Sequence, residues 1–348
     1  MAAQTTAEQA LQYPFDAALP APGETLCVAP GVHWVRMALP YALDHINLWL
    51  LEDGDEWVIV DSGLGNAATR ELWEKVFASR LGGRRVSRLI VTHYHPDHAG
   101  NAAWLVERFG VPMLMSQGDF LTAHAHRDAT AGFRREDSAA LFRANGLDPA
   151  LCDQLGVGEN LYRRGVPEFP SSYKRVMEGD GIAVGGRTWR VIMGYGHAPE
   201  HAALYCESIG VLISGDMVLP RISTNVSVPA SQPNSNALKL FLDSTANYAT
   251  LPADTLVLPS HGKPFRGLKE RAAQLADHHR LRLSELREAC AVPKSAAEVL
   301  TTLFKRPLDN HQMFFAMGEA MAHLHYLAEE GLVRRTVSDG VIRYVSAG

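Results

Sequence analysis

The 348-residue chain predicts an α+β protein. Three observations predict it: two blocks of short β-branched and aromatic runs broken by turn residues, helical apolar stripes between and beyond them, and His and Asp residues placed where strands run out. With 47% apolar and 20% charged residues and a formal net charge of -5, the composition suits one large or two smaller compact domains rather than a disordered chain. That balance gives no global electrostatic reason to bind nucleic acid or anionic lipid. Cys27, Cys152, Cys206 and Cys290 lie far apart with no C-x-x-C pair, so neither a disulfide framework nor a Cys-built zinc site is readable, which suits a reducing compartment. The first 26 residues show no basic segment followed by an apolar run, and no apolar stretch approaches 18 residues, so a soluble, cytoplasmic protein is expected. The 15 histidines are what remains to be explained.

Element by element, Leu26-Cys27-Val28, His33 to Met37, Ile46 to Leu51 and Trp57 to Val60 read as strands. In the segment Asn66 to Ser79, Leu72, Trp73, Val76 and Phe77 recur at helical spacing, before Val86 to Thr92 returns to a buried strand. Ala99 to Phe109 reads as helix and Val111 to Met115 as a short strand. From Gln117 to about Ser172 the pattern is helical and irregular, and looks inserted. A second β-rich block follows: Arg175 to Glu178, Ile182 to Val184, Thr188 to Met193, Ala203 to Cys206, Gly210 to Ser214 and Thr255 to Leu258. Leu268 to Cys290 is a long charged helix with Leu275, Leu281, Leu283 and Leu286 as its apolar positions, closed by Pro293.

The expected organisation is a metal-binding domain over 1–267, a linking helix over 268–290 and a C-terminal domain over 291–348. The last reads as helix (Ser295 to Phe304), helix (His311 to Glu330) and a hairpin of Leu332 to Thr336 and Val341 to Val345 turning at Ser338-Asp339-Gly340, a winged-helix-like arrangement. Its six basic and six acidic residues leave no positive stripe, so packing or homodimerisation is expected there rather than DNA binding.

The sharpest signal is Thr92-His93-Tyr94-His95-Pro96-Asp97-His98, directly after an apolar strand. On a strand end His93 and His95 project to one side by the two-residue period, and the turn through Pro96 brings Asp97 and His98 back toward the same cavity. Neutral imidazole and carboxylate are ligands for Zn, Fe or Mn. His197, Asp216 and His261 each follow a predicted strand in the same way.

This series, H-x-H-x-D-H at His93 to His98, Gly196-His197, Gly215-Asp216 and Ser260-His261-Gly262, with Val60-Asp61-Ser62-Gly63 upstream, resembles the metallo-β-lactamase superfamily of metal-dependent hydrolases over roughly Glu24 to Gly267. The resemblance implies an αββα sandwich of two mixed sheets with the metals at one end. It implies that His93, His95 and His197 hold one divalent ion, Asp97, His98 and His261 a second, and that Asp216 bridges them around a shared hydroxide. Zinc is the first candidate, with iron or manganese as alternatives. Asp97 would also orient the hydroxide or pass a proton, making Asp97 and Asp216 the catalytic carboxylates. Asp61 is expected to support a ligand histidine through its second ring nitrogen. His201, in a G-H-A-P-E-H segment, is expected behind the ligands rather than among them.

His124 and His126 diverge on a helix and are expected at the surface. His278, His279, His323 and His325 are assigned to surface or packing, and His45 and Asn47 are candidates to approach the pocket. The inserted segment, about 55 residues long, is expected to form a lid with an apolar wall from Phe120, Phe133, Phe142, Tyr162, Phe169 and Tyr173. Arg134, Arg135, Arg163 and Arg164 are expected on solvated helix faces, with recognition of an anionic substrate group as the alternative. The substrate expectation is a small acyl compound, a thioester or lactone. The alternatives are a phosphodiesterase or endoribonuclease, as family members with a winged extension include, then an iron-dependent sulfur dioxygenase or a β-lactamase-like activity.

Overall fold

A computed structural model describes residues 10–41 and 43–347; part of the N-terminal stretch read for a leader lies outside them. Chain order opens with an antiparallel meander, β1 (Thr25–Ala29), β2 (Val32–Ala38), β3 (His45–Asp53) and β4 (Glu56–Val60). Helix α1 (Ala67–Arg80) crosses to β5 (Arg85–Ile90), parallel to β4. Helices α2 (Pro96–Ala99) and α3 (Ala102–Phe109) lead to β6 (Met113–Met115), and β7 (Lys174–Arg175) completes a seven-stranded sheet in the order β1 to β7. The second sheet orders β12-β11-β10-β9-β8, from β8 (Gly181–Val184), β9 (Arg187–Gly194), β10 (His201–Cys206), β11 (Val211–Gly215) and β12 (Leu256–Pro259), with β11 and β12 parallel.

The strands read as near-continuous apolar runs because both faces of the first sheet are buried. In β4, Trp57 and Ile59 join a cluster with Trp73, Val76 and Phe77 of α1 and Leu105 of α3. Val58 and Val60 point the other way, to Trp34, Trp49, Val191, Leu204, Ile213 and Leu258, the packing between the two sheets. Each such side chain, fully withdrawn from water, contributes about 1.5–3 kcal/mol. A one-residue register slip would exchange the two sets, so the alternation fixes the register and with it the level at which every strand ends. Tyr248, at the end of helix α8 (Ala237–Tyr248), donates its hydroxyl to the Ile192 carbonyl of β9 at 3.3 Å. The result is the helix-sheet-sheet-helix sandwich that the resemblance implies.

By packing, the chain divides into two units. The first, Met1–Arg127, Leu161–Thr224 and Thr245–Ala272, holds both sheets and α4 (Gln117–Arg127) and α7 (Leu161–Gly165). The second, Asp128–Asn160, Asn225–Ser244 and Ala273–Gly348, holds α5 (Arg135–Ala144), α6 (Pro149–Gly156), α10 (Leu300–Leu303), α11 (Asn310–Glu329) and the hairpin β13 (Val333–Ser338) and β14 (Val341–Ser346). Helices α8 and α9 (Leu268–Ala289) contribute residues to both. The hairpin turns through Asp339 and Gly340, at φ +53° and +76°, the left-handed pair a two-residue turn requires. The stretch read as one inserted lid is therefore shared: 117–127 and 161–172 lie in the first unit, 128–160 in the second.

Some expectations need correcting. The helix read at Ala99 to Phe109 is two pieces, and the strand read from Val86 to Thr92 ends at Ile90, with the H-x-H stretch beyond it as expected. The helix read at Ser295 to Phe304 shrinks to α10, because Lys294 pairs both ways with Tyr344 and Ala297 donates to the Asn145 carbonyl. The strand at Arg175 to Glu178 is cut to two residues by a Met177–Asp180 turn. Leu281 is 51% exposed and does not belong to the buried stripe of α9 that includes Leu275 and Leu286. Helix α8 was not foreseen.

One close approach holds the ends of these elements together. Gly65 donates to the Gly165 carbonyl at 2.9 Å, and a Cβ on Gly65 would lie 2.5 Å from the Gly100 carbonyl oxygen. A Cβ on Gly100 would lie 2.3 Å from the Gly65 nitrogen, and one on Gly165 2.7 Å from the Pro96 side chain. Three backbones meet where no side chain fits.

Candidate metal centre

All seven expected donors sit just past the ends of β5, β9, β11 and β12, on one edge of the sandwich. They form two groups, His93, His95, His197 and Asp216, and Asp97, His98 and His261, each with its donor atoms within 4.8 Å of one another. Pro96 at the first position of α2 starts a single turn that carries Asp97 and His98 inward, with His95 as its N-cap. Within the first group His93 Nε2 lies 3.0 Å from His95 Nδ1 and 3.3 Å from His197 Nε2. Asp216 stands between the groups: one carboxylate oxygen is 3.6 Å from His197 Nε2, the other 3.5 Å from both His98 Nε2 and His261 Nε2. Asp97 Oδ2 is 3.4 Å from His261 Nε2.

The ring orientations are set from outside. Asp61, 1% exposed and at φ +63°, accepts from His98 Nδ1 at 2.8 Å, from the Thr92 hydroxyl at 2.8 Å and from the Thr92 backbone N–H at 2.7 Å. His261 donates through Nδ1 to the His45 carbonyl at 2.7 Å. His197 Nδ1 lies 3.1 Å from the Thr224 hydroxyl, and His93 Nδ1 3.1 Å from the Thr92 hydroxyl. With those nitrogens engaged, the other nitrogen of each ring turns to the centre. His201, fully buried, accepts from the Asp216 backbone N–H at 3.2 Å, and so stands behind the cluster. Asn47 donates to the Pro259 and Gly262 carbonyls, and His45 Nε2 accepts from Gly262, so both residues fasten the loop that carries His261.

Electrostatics divides the cluster. Burial lowers His93, and His98 and His95 beside it lower it further; burial and His197 lower His95. Burial opposes protonation of His98 and His261 too, but Asp61 and Asp216 hold His98 well above its ordinary value, and Asp216 and Asp97 push His261 up to about 10. Asp216 is held well below the carboxylate range, its burial overcome by His261 and His98. The centre demands positive charge. His98 Nε2 and Asp216 Oδ1, both buried, have no hydrogen-bond partner among the described residues. Inward-facing imidazoles, two carboxylates and no thiolate form a donor set that fits divalent Zn, Fe or Mn.

The other named residues sit elsewhere. His124 and His126 are half-buried rather than at the surface: His124 reaches the Pro170 carbonyl at 3.1 Å, and His126 stacks on Tyr94 with ring centres 5.3 Å apart. The aromatics expected to wall a lid are mostly packed inward: Phe120 stacks on Tyr173 in the core of the first unit, and Phe142 meets Phe314 in the second. Arg134 pairs with Asp137, and Arg135 donates to the Leu155 carbonyl, while Arg163 and Arg164 are exposed. His278 is exposed, and His279, His323 and His325 are buried in the second unit. Thr92, Thr224 and Asp119 were missed, since isolated hydroxyls and a helix-start Asp carry no spacing signal.

The metallo-β-lactamase superfamily model matches residues 42–261, and a metallo-β-lactamase-like C-terminal domain model matches 283–347. The chain belongs to that superfamily and is a metal-dependent hydrolase. Its fold superposes with a TM-score of 0.91 on a β-lactamase domain protein from Burkholderia ambifaria, 49% identical and covering 99% of this chain and 100% of that one. Among curated relatives, a probable metallo-hydrolase, YqjP, of Bacillus subtilis is 26% identical over 86% of this chain and 92% of its own length. An atrochrysone carboxyl ACP thioesterase of Aspergillus fumigatus is 24% identical over 79% of this chain and 73% of its own length.

Proposed function

We propose that the protein is a binuclear hydrolase of a small acyl substrate, a thioester first and a lactone next, with zinc as the first candidate for both ions. The observation that carries this reading is the seven-donor cluster whose inner nitrogens face two carboxylates, the buried Asp216 and the half-buried Asp97. The thioester preference draws on the thioesterase among the relatives. Bound divalent ions supply Lewis-acid polarisation of the acyl carbonyl and acidify water to a pKa of about 7.

The chain's own residues do the rest. Thr92, Thr224, Asp61 and the His45 carbonyl keep the imidazoles aimed inward, so little reorganisation is needed on binding. Asp216, between the two groups, is the carboxylate that would be shared by both positions when metal is bound. Asp97 has the most accessible of the carboxylates at the centre, 18% exposed against 10% for Asp216, and is the group placed to take a proton from water and return it to the leaving sulfur or oxygen. The even charge of 291–348 supports packing or homodimerisation there and counts against a polyanion substrate. No described helix is long and apolar enough to cross a membrane; we place the enzyme in the cytoplasm.

Metal analysis of protein purified without added metal, followed by an assay panel of acyl-CoA and glutathione thioesters, lactones, a chromogenic cephalosporin, a bis-aryl phosphodiester and single-stranded RNA, tests this. Metal uptake with thioester cleavage is expected. Fewer than about one ion per chain, with no gain on adding Zn, Mn or Fe, overturns the metal reading. Activity confined to RNA overturns the acyl one.

A further inference from the structure

Tyr94 separates two of the proposed ligands, His93 and His95, and is gripped on three sides by α4 and α7. Its backbone N–H donates to Asp119 Oδ1 at 2.9 Å, its carbonyl accepts the Tyr162 hydroxyl at 2.6 Å, and its ring lies against His126 with 4° between the planes. Asp119, fully buried at the start of α4, also reaches the other ligand loop: its Oδ2 accepts from the Glu200 N–H at 2.7 Å, three residues beyond His197. The Glu200 carboxylate returns the contact by accepting from Gly118 N–H at 2.7 Å, and the Ser116 hydroxyl lies 3.2 Å from Asp119 Oδ2. One carboxylate thus ties together the two loops that carry His93, His95 and His197. Among the described residues, the Asp119 carboxylate makes no hydrogen bond to the loops of Asp216 and His261, and neither it nor the Tyr94 backbone is hydrogen-bonded to a donor atom of the cluster.

We infer that Asp119 is a positioning residue which, with Tyr162, sets the spacing of the His93, His95 and His197 nitrogens and so the affinity of that metal position. The inference rests on the reading that these histidines hold a metal. It gives α4 and α7 a role as a fixed clamp on the ligand loops. A carboxylate is needed because both of its oxygens accept: in Asp119→Asn the amide nitrogen would face one of two N–H donors, and one loop would be released.

Cobalt(II) titration followed by its visible absorption separates the positions when made in two backgrounds. His261→Ala weakens the Asp97, His98 and His261 group, and His95→Ala weakens the other. Asp119→Asn is expected to lower cobalt affinity 10- to 100-fold in the His261→Ala background and less than about threefold in the His95→Ala background, and to shift the absorption bands only in the former. Tyr162→Phe, which removes one hydroxyl, is expected to act in the same direction by a smaller factor, and serves where Asp119→Asn does not fold. A merely structural role would lower the melting temperature without distinguishing the backgrounds. Equal weakening in both, or none in either, overturns the clamp; a wild-type chain that takes up no cobalt overturns the metal reading and the clamp with it.

Discussion

Two clusters of buried histidine among the described residues are wired differently. At the strand ends of the first unit, His98 and His261 give their outer nitrogens to Asp61 and to the His45 carbonyl, and turn the inner ones toward Asp97 and Asp216. In the second unit His323 donates from Nδ1 to the Glu319 carbonyl at 2.8 Å, which leaves its Nε2 to accept from His279 Nδ1 at 3.1 Å. That pair runs end to end as a single line of hydrogen bonds, with Phe241 against the His279 ring and, among the described residues, no carboxylate hydrogen-bonded to either imidazole. Burial then dominates: it holds His279 near 3, with His323 and His278 adding to it, and His323 near 4 against the opposing pull of the Glu319 carbonyl. Convergence on carboxylates, rather than burial or histidine count, marks a metal centre.

The strongest way to break the contrast is Asp216→Ala, which should take metal-dependent turnover to background and reduce the ions retained per chain, read by elemental analysis and rate together. Next is Asp61→Asn, which leaves His98 or Thr92 short of an acceptor and should lower metal affinity 10- to 100-fold while the fold persists. In the other cluster His279→Phe should leave metal content and turnover unchanged, and cost about 1–3 kcal/mol if the His323 nitrogen is left buried without its donor. The same pair predicts a pH dependence. Both folded values lie below the ordinary 6.5, so between about 3 and 6.5 the unfolded chain binds more protons. Stability from this pair is therefore full above pH 6.5 and lost as the pH falls toward 3; thermal melting from pH 7 to 5 should show a loss to which other buried histidines also contribute, and replacing both histidines with apolar residues should make it less steep. The smallest effect is expected from His124→Ala, within about twofold of wild-type turnover, because His124 meets Phe120, Phe169 and the Pro170 carbonyl rather than the centre.

Legibility followed the range of the physics involved. Strands such as β3 and β4 could be read because their apolar pattern is local, and His93, His95, Asp97 and His98 because four donors in six residues are improbable otherwise. His197, Asp216 and His261 became readable through their order and their place after strands. Asp61 was anticipated as a support because Val60-Asp61-Ser62-Gly63 resembles the superfamily's strand-terminal motif, whereas Asp119 reads as an ordinary acidic residue in the first turn of a helix. Its role depends on contacts 25 and 81 residues away. The division of 117–172 between two units was illegible for a related reason: aromatic content says that a segment packs, without saying against what.

The meeting of Gly65, Gly100 and Gly165 has a consequence for variation among related chains. Since a methyl group on Gly65 or Gly100 would lie within 2.5 Å of another segment's backbone, these positions cannot drift one at a time. Saturation mutagenesis should show all three as intolerant as the metal ligands, although none belongs to the ligand motif. A map of constraint drawn from such data would place a second hot region beside the centre, built entirely of residues without side chains.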